Sequence, residues 1–283
     1  MQNKRITHPY IPNSEPSVKQ SMLDALGMDS VNRIYEGIPE HLRFAGSMNL
    51  PEPLISEYSC QRHVESLLDK NLNAKKNICF LGGGTWNHYV PSVVDTIMER
   101  DEFLTCYVGD AYTDHGKFQA LFESSSMLGD LTGFEACCTP TYDWGNAIAI
   151  ACRMAARTVN RQKILVAGNM GPERLQIVRN YCKPEICVET VAYHKDTGLM
   201  DLDDLKAKMS DAVACVYFEN PTYVGTLEAQ VKEIVSIAHA SGALCMVGVD
   251  PTSLGILEAP GSYGADYAVG ELQPLGLHMS YGG

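Results

Sequence analysis

The sequence predicts an α/β fold: a large domain with a mostly parallel sheet flanked by helices, preceded by a helical N-terminal segment. From residue 76 onward, short apolar runs rich in β-branched residues alternate with amphipathic stretches of helical period. This alternation is typical of a parallel sheet covered by helices on both faces. Before residue 76, apolar residues recur at spacings of three and four, which indicates helices. We therefore predict a helical arm over 1–75 and the large domain over 76–283.

The helical arm contains three segments with helical periodicity. They are SVKQSMLDALGM (17–28), DSVNRIYEGIP (29–39) and PLISEYSCQRHVESLLDKN (53–71). Asp29 or Ser30 is suited to cap the second segment, because a side-chain oxygen there can accept a hydrogen bond from the first helical turn. Pro51 and Pro53 mark the entry to the third segment.

The large domain alternates predicted strands with predicted helices. The strands are NICFLG (77–82), KILVAG (163–168), ICVETV (186–191), AVACVYF (212–218), ALCMVGV (243–249) and DYAVG (266–270). The helices cover 91–100, 116–133, 145–160, 173–182, 201–210 and 227–242. Near the end of the chain, LHMSYGG is suited to a strand or hairpin, with no helix after it to close the sheet edge. We therefore expect the sequence to be a piece of a longer protein.

Composition narrows the class of protein. The 283 residues are 45% hydrophobic and 20% charged, which is globular, and the formal net charge is −12. That charge argues against nucleic acid and anionic membrane surfaces as partners, because both require clustered Lys and Arg. The sequence has no apolar run of transmembrane length, and its N-terminus lacks the apolar core of a signal peptide. We expect a cytoplasmic protein.

The ten cysteines fit a reducing compartment. Most stand inside apolar segments, and the one close pair, Cys137 and Cys138, has neither a CxxC nor a usual zinc spacing. The prediction is a set of reduced, buried thiols with no metal site and no disulfide.

The first glycine-rich loop, GGGTWNHYVP (82–91), follows a predicted strand and leads into a predicted helix. This position suits a phosphate cradle, although the loop matches neither GxGxxG nor GxxxxGK[ST]. It also suits a plain tight turn in which Trp86 and Tyr89 pack. In a third interpretation, His88 lies at the rim of a cleft and contacts a ligand.

The next polar loop, TCYVGDAYTDHGK (105–117), is unusually rich in acidic and aromatic residues. Asp110, Tyr112, Asp114 and His115 stand within six residues, so they are candidates for acid–base chemistry or a metal cluster. Asp114 also precedes a predicted helix, where aspartate is a good N-cap. Both interpretations remain open at this stage.

The loop TPTYDWGNAIAIAC (139–152) places Tyr142, Asp143, Trp144 and Asn146 at the start of a helix of small apolar residues. A helix N-terminus attracts anions through its free N–H groups. Asp143 is explained equally well as the helix cap. The sequence does not decide between an anion site and a cap.

Three further polar residues follow predicted strands. Asn220 follows AVACVYF, Asp250 follows ALCMVGV, and Gln273 stands in GELQPLG (270–276) after the last strand. Ligands of parallel sheets bind outside the carboxyl ends of the strands. Asp250 is the most suggestive residue, because a carboxylate ending a buried strand needs a partner. Its other interpretation is a cap of the Pro251-Thr252-Ser253 turn.

Four segments in order resemble the glycine decarboxylase P-protein of the glycine cleavage system, and its N-terminal half, the separate subunit 1, most closely. They are FLGGGTWNHYVPSVVD (80–95), FQALFESSSMLGDLTGFE (118–135), TYDWGNAIAIACRMAAR (141–157) and VDPTSLGILEAPGSYGADYAVGELQPLG (249–276). The resemblance runs from about Tyr10 to Gly283, and the last segment is its most specific part. It implies the aspartate-aminotransferase-like architecture of fold type I enzymes that use pyridoxal phosphate (PLP). Subunit 1 chains of the family are longer, which agrees with the expected incompleteness.

The resemblance also gives GELQPLG a meaning. In a PLP-bearing subunit of this fold, an Asp ending a strand bonds the pyridine nitrogen and a later Lys holds the cofactor covalently. Asp250 looks like the relic of the first, Gln273 stands about where the second would fall, and Asn220 is a third vestigial candidate. The chain has no Lys or Arg after Lys232. The resemblance therefore implies that PLP is held by a subunit 2-like partner, with this chain helping to build a shared site.

Two loops depart from the family. Where members usually read YTPYQPEISQG, this chain has a shorter, different stretch at 107–116, and the usual YDGAT is YDWGN at 142–146. Only Tyr107, Tyr142 and Asp143 match. The candidates for the shared site are His88, Tyr107, Asp110, Tyr112, His115, Tyr142, Asp143 and Asn146.

Three hypotheses follow for function. The first is a non-PLP-anchoring subunit that, with its partner, decarboxylates glycine and transfers the aminomethyl group to lipoyl H-protein, and is inactive alone. The second is a subunit of another PLP-dependent complex acting on a different amino acid or amine. The third is a catalytically silent scaffold subunit.

Overall fold

The computed structural model describes residues 7–8, 10–44, 46–74, 76–80, 86–100, 115–138 and 140–279, with the backbone alone for 115–117. Its contacts divide the chain into two compact units, Met1–Asn71 and Leu72–Gly283. Within the described ranges, every helix is too short or too polar to span a bilayer.

The smaller unit contains helix α1 (Pro16–Ala25), a 3-10 helix (Val31–Tyr35) and helix α2 (Glu57–Leu68). Ser30 caps the 3-10 helix, because its hydroxyl oxygen accepts the Asn32 N–H at 3.2 Å. The segment predicted at 29–39 is therefore a short 3-10 helix and not an α-helix. In the part of this unit that the structure describes, Leu23 is the one buried residue.

The larger unit alternates helices and strands. Its helices are α3 (Ser92–Met98), α4 (His115–Thr132), α5 (Trp144–Val159), α6 (Pro172–Cys182), α7 (Leu202–Lys208) and α8 (Val231–Ala240). Its strands are β1 (Lys163–Ala167), β2 (Cys187–Val191), β3 (Val213–Glu219), β4 (Leu244–Val249) and β5 (Tyr267–Gly270). Each of these strands lies inside a predicted run or extends it by one residue.

The five strands form one sheet in the order β2-β1-β3-β4-β5, and every neighbouring pair is parallel. All seven residues of the central strand β3 are buried, whereas those of β5 at one edge are half-buried. This gradient explains why β3 is a continuous apolar run: a parallel strand covered on both faces has no solvent side. Between β1 and β3 the register shifts at Lys163/Ile164, so that Ala214 is an extra residue.

Helices cover the sheet on both faces, as predicted. One apolar cluster joins α5 and α6 to side chains such as Ile164 and Tyr217 on one face. The other joins α7 and α8 to side chains such as Leu165 and Phe218 on the opposite face. Alternate residues of β1 and β4 therefore enter opposite clusters, and the carboxyl ends of the parallel strands all point to one edge of the layered unit.

Two expectations are wrong. The run predicted as a strand at 77–82 is irregular over 77–80, and Ile78 and Phe80 are 86% and 93% exposed. It lacks a pairing strand in the described part of the chain, and a strand needs such a partner for its N–H and C=O groups. The cysteines are also less buried than expected. Five of the nine described are exposed, and none of the nine is in a disulfide.

Candidate functional site at the carboxyl edge of the sheet

Polar side chains collect where the parallel strands end. Asn169 follows β1, Glu219 ends β3 and leads to Asn220, Asp250 follows β4, and Gln273 follows β5. This edge is where open α/β sheets bind ligands. Within the described ranges, no group of three or more His, Cys, Asp or Glu side chains is arranged to hold a metal ion.

Gln273 is buried and holds two loops together. Its Oε1 accepts the Trp86 N–H at 3.1 Å, and its Nε2 donates to the Trp86 and Leu277 carbonyl oxygens at 3.1 and 3.0 Å. The side chain is 4% exposed. Both polar atoms of the amide are thus engaged with backbone groups. Gln273 therefore connects the segment 86–88, 185 or more residues away in sequence, to the segment 273–277.

His88 also contacts Gln273 and adds to the connection between these two segments. Its Nε2 lies 2.9 Å from the Gln273 carbonyl oxygen and 3.1 Å from the Gln273 Nε2, and its Nδ1 lies 3.1 Å from the Tyr89 carbonyl oxygen. Whichever ring nitrogen carries the proton therefore has a carbonyl oxygen as acceptor. The ring is half-buried, which agrees with a position at the rim.

The start of α5 is capped by its own carboxylate. The Asp143 Oδ1 accepts the Asn146 backbone N–H at 2.7 Å, and its Oδ2 accepts the Asn146 side-chain amide at 2.7 Å. A carboxylate on the N–H groups of the first turn occupies the position that an external anion would take. The structure thus favours the cap over an anion site. The neighbouring Tyr142 ring is 82% exposed.

Behind this cap lies a layered arrangement that the sequence did not suggest. The ring of Trp144, 5% exposed, stacks on Trp86 with ring centroids 6.3 Å apart and planes 19° apart. The guanidinium of Arg174 also lies over Trp144, with the Arg174 Cζ 3.7 Å from the ring centroid. We call Trp86, Trp144 and the Arg174 guanidinium the tryptophan stack.

The stack is tied to the end of β3 by a buried ion pair. Arg174 Nη1 lies 2.7 Å from Oε1 of Glu219, a side chain with 0% exposure, and the Tyr217 hydroxyl donates to the same oxygen at 3.1 Å. Burial raises the pKa of Glu219, while the charge of Arg174 opposes that rise. Burial, followed by the charge of Glu219, raises the pKa of Tyr217 well above its usual value. The charges are thus paired but strongly desolvated.

Of these residues, two had a signal in the sequence. Trp144 stands out as a bulky residue in a loop that is small in the resembling family, and Glu219 directly ends a buried apolar run. Arg174 had none: it is an arginine in the first turn of an amphipathic helix, and its partner lies 45 residues away.

Asn220 and Asp250 serve local turns. The Asn220 Oδ1 accepts the Glu228 N–H at 3.1 Å. The Asp250 Oδ1 accepts the N–H and the hydroxyl of Thr252 at 2.9 and 2.7 Å, which caps the 3-10 helix Pro251–Gly255. The capping interpretation of Asp250 thus has direct support. Tyr107, Asp110 and Tyr112 lie outside the described residues, as does the side chain of His115, the first residue of α4.

These residues do not fit a covalently held PLP. Gln273, which stands about where the resemblance places the anchoring amine, is an amide whose polar atoms are already bonded. The strand-ending carboxylate is bonded to the turn that follows it. The tryptophan stack reaches from Glu219 at the end of β3 to Gln273 after β5, and we call the part of the sheet edge that it occupies the crevice.

Comparison with known proteins agrees with the fold. The chain matches the family described as "Glycine cleavage system P-protein" over residues 8–283. It is 39% identical over 286 residues to a probable glycine dehydrogenase (decarboxylating) subunit 1 of Staphylothermus marinus, covering 98% of this chain and 61% of that protein. The protein of the same description from Pyrococcus horikoshii is 42% identical over 278 residues, covering 97% and 61%. The chain thus spans about three fifths of the length of these curated relatives.

Two solved structures are similar. A crystal structure of glycine decarboxylase (P-protein) of the glycine cleavage system, in inhibitor-bound form, matches with a TM-score of 0.77 and 33% identity, covering 98% of this chain and 61% of that one. A Burkholderia pseudomallei sphingosine-1-phosphate lyase matches with a TM-score of 0.51 at 13% identity over 75% of this chain and 51% of that one, which shows the fold alone. The predicted fold type I architecture is confirmed.

Proposed function

Because the chain belongs to the glycine cleavage system P-protein family, we propose that it is the subunit of a glycine-decarboxylase-type complex that does not anchor PLP. A subunit 2-like partner holds the cofactor. Together they decarboxylate glycine and transfer the aminomethyl group to lipoyl H-protein in the cytoplasm, and this chain alone is inactive. The observation that carries the proposal is the buried Gln273, an amide engaged with backbone groups where a lysine would hold the cofactor.

In this proposal the chain's own residues shape one wall of a shared site. Gln273 fixes the loop that carries His88, and the Asp143 cap fixes the start of α5 beside the exposed Tyr142. His88, Tyr142, Asp143 and Asn146 are therefore the described candidates for contacts with substrate or partner. Tyr107, Asp110, Tyr112 and His115 complete the candidate set on the basis of the sequence.

The proposal is tested by reconstitution. The full chain is combined with the PLP-bearing partner and lipoyl H-protein, and exchange of labelled CO2 into glycine is measured. We expect exchange with all three proteins and little with any one omitted. Borohydride reduction followed by peptide mapping should place the pyridoxyl group on the partner. No exchange in the complete mixture, or a pyridoxyl group on a lysine of this chain, would overturn the proposal.

A second function is favoured by one observation. Trp144, in a loop that differs from the usual YDGAT of the family, is 5% exposed and packed within the candidate site. A site with altered walls is suited to a different amino acid or amine. The same reconstituted proteins, supplied with other amino acids, would then release CO2 from one of these and not from glycine. A partner complex that forms but releases CO2 from none would instead indicate a scaffold subunit.

A further inference from the structure

The tryptophan stack lies in the crevice where a parallel α/β sheet binds its ligand. At one end, Arg174 is bonded to Glu219, the last residue of β3. At the other end, the backbone of Trp86 is bonded to Gln273, just after β5. The stack therefore extends from the carboxyl end of β3 to that of β5, across β4, and the carboxyl ends of parallel strands are where ligands are held.

Within this crevice, Trp144 is placed as a planar ligand would be. One face of its indole lies against Trp86, with the planes 19° apart, and it also lies against the Arg174 guanidinium at 3.7 Å. Aromatic rings and guanidinium groups are the usual contacts for a flat ring in a protein site. The ring is 5% exposed.

We propose that the indole of Trp144 is a resident occupant of the crevice, so that this chain is closed to a planar cofactor such as PLP by packing as well as by the lack of an amine at position 273. The inference rests on the proposed function and deepens it. If the lack of a lysine were the only barrier, the pocket would be open and the single substitution Q273K would allow PLP to bind covalently. Because the indole fills the pocket, covalent binding requires a second substitution, at Trp144.

The direct test restores the amine with and without the indole. Full-length Q273K and Q273K/W144A are incubated with PLP, reduced with borohydride and peptide-mapped. The lysine amine condenses with the aldehyde of PLP and releases water, and borohydride then delivers hydride to the resulting C=N bond to give a stable pyridoxyl-lysine. We expect several-fold or greater labelling at position 273 in the double variant than in Q273K. Q273K/W144F, which keeps an aromatic ring in place, is the matched control and should label like Q273K.

A second test does not depend on PLP. Removing the indole should leave a space that free indole fills, so added indole should raise the thermal midpoint of W144A and leave that of wild type and W144F unchanged. If W144A does not fold, the W86F variant leaves Trp144 as the sole tryptophan of the chain, since the sequence has two. Its fluorescence should then resist acrylamide and be unchanged by added PLP.

Three results would overturn the inference. The first is equal labelling at position 273 in Q273K and in the double variant. The second is a folded W144A that does not bind indole, together with a Q273K/W144A that does not bind PLP. The third is a Trp144 fluorescence that acrylamide quenches readily. None of these touches the assignment of PLP to the partner. That assignment fails separately, if the wild-type chain carries a pyridoxyl-lysine or the complete mixture gives no exchange.

Discussion

Replacing Arg174 by methionine would leave the carboxylate of Glu219 buried without its counter-charge. The two side chains are 12% and 0% exposed, and the ion pair is 2.7 Å long. Breaking one side of a buried pair of this kind costs about 3–5 kcal/mol, because the remaining charge is out of water and unpaired. Methionine is apolar and matches the stem of arginine up to the guanidinium, so it retains the packing of the stem while it removes the charge. We expect R174M to lose about this much free energy of unfolding near neutral pH.

The stability lost in R174M should depend on pH, and the pKa of Glu219 determines whether the loss grows or shrinks as pH rises. Burial already raises this pKa above its ordinary 4.5, and Arg174 is the main group that lowers it. In R174M the folded-state pKa rises further. A group with a raised folded pKa contributes its full stability below the unfolded pKa and loses it as pH rises through the folded pKa. The deficit of R174M should therefore be largest near pH 8 and shrink as pH falls toward 4.5, by about 1.4 kcal/mol per unit of pKa shift.

Urea unfolding at several pH values, followed by tryptophan fluorescence, measures this directly, because both tryptophans of the chain belong to the stack. E219Q and R174M/E219Q complete a double-mutant cycle. The double variant should be more stable than R174M near pH 8, since it has no buried charge. It should stay below wild type by about 0.5–2 kcal/mol, the value of the lost cation–π contact. A deficit of R174M that is the same at all pH values, or a double variant no more stable than R174M, would refute the reasoning.

Three further substitutions test the edge of the sheet, each by its free energy of unfolding. Q273A removes three buried side-chain hydrogen bonds and should cost about 2–4 kcal/mol. Q273E should not restore this stability, because a carboxylate cannot donate a hydrogen bond. G248A places a methyl group against the Tyr217 hydroxyl and should cost about 1–3 kcal/mol. Stability should recover in part in G248A/Y217F, and G255A should have no effect, because nothing lies within 4 Å of the added methyl group there. D143A removes the α5 cap and should cost about 0.5–2 kcal/mol. D143N should keep most of the stability that the cap provides, and equal losses in D143A and D143N would argue against the cap.

The sheet was predictable because its strands are buried on both faces. A strand such as β3, with all seven residues buried, must be apolar throughout, and such a run can be recognised without knowing its neighbours. The run at 77–82 shows the limit of this reasoning. Its composition is the same, but Ile78 and Phe80 are exposed, because strand formation depends on a pairing partner that local sequence does not specify.

The site was predictable in position, and its contacts were predictable only where they are local. Asn220, Asp250 and Gln273 were singled out because polar residues after apolar runs collect at one edge of a parallel sheet, and Asp143 because it stands at the start of a helix. The contacts of Asp143, Asn220 and Asp250 are local, whereas those of Gln273 and Arg174 depend on residues far away in sequence. Gln273 bonds Trp86 across 187 positions, and Arg174 bonds Glu219 across 45. A single sequence contains no periodicity or spacing that reports such pairs.

Gln273 and Trp144 are coupled through one residue that contacts both, and this coupling gives the departure at position 144 a physical reason. A crevice built for a flat ring, with no amine to hold one, would be a void in the part of the fold where α5, α6 and the sheet meet. An unfilled void costs about 24 cal/mol per Å3, or about 2–3 kcal/mol for a space of about 100 Å3. An indole in the first turn of α5 fills such a space with the chain's own atoms, and Trp86, held at its backbone by Gln273, closes one side of it. In the arrangement proposed above, the amide at 273 and the indole at 144 are two parts of one packing unit, which stabilises this edge of the sheet with the chain's own side chains.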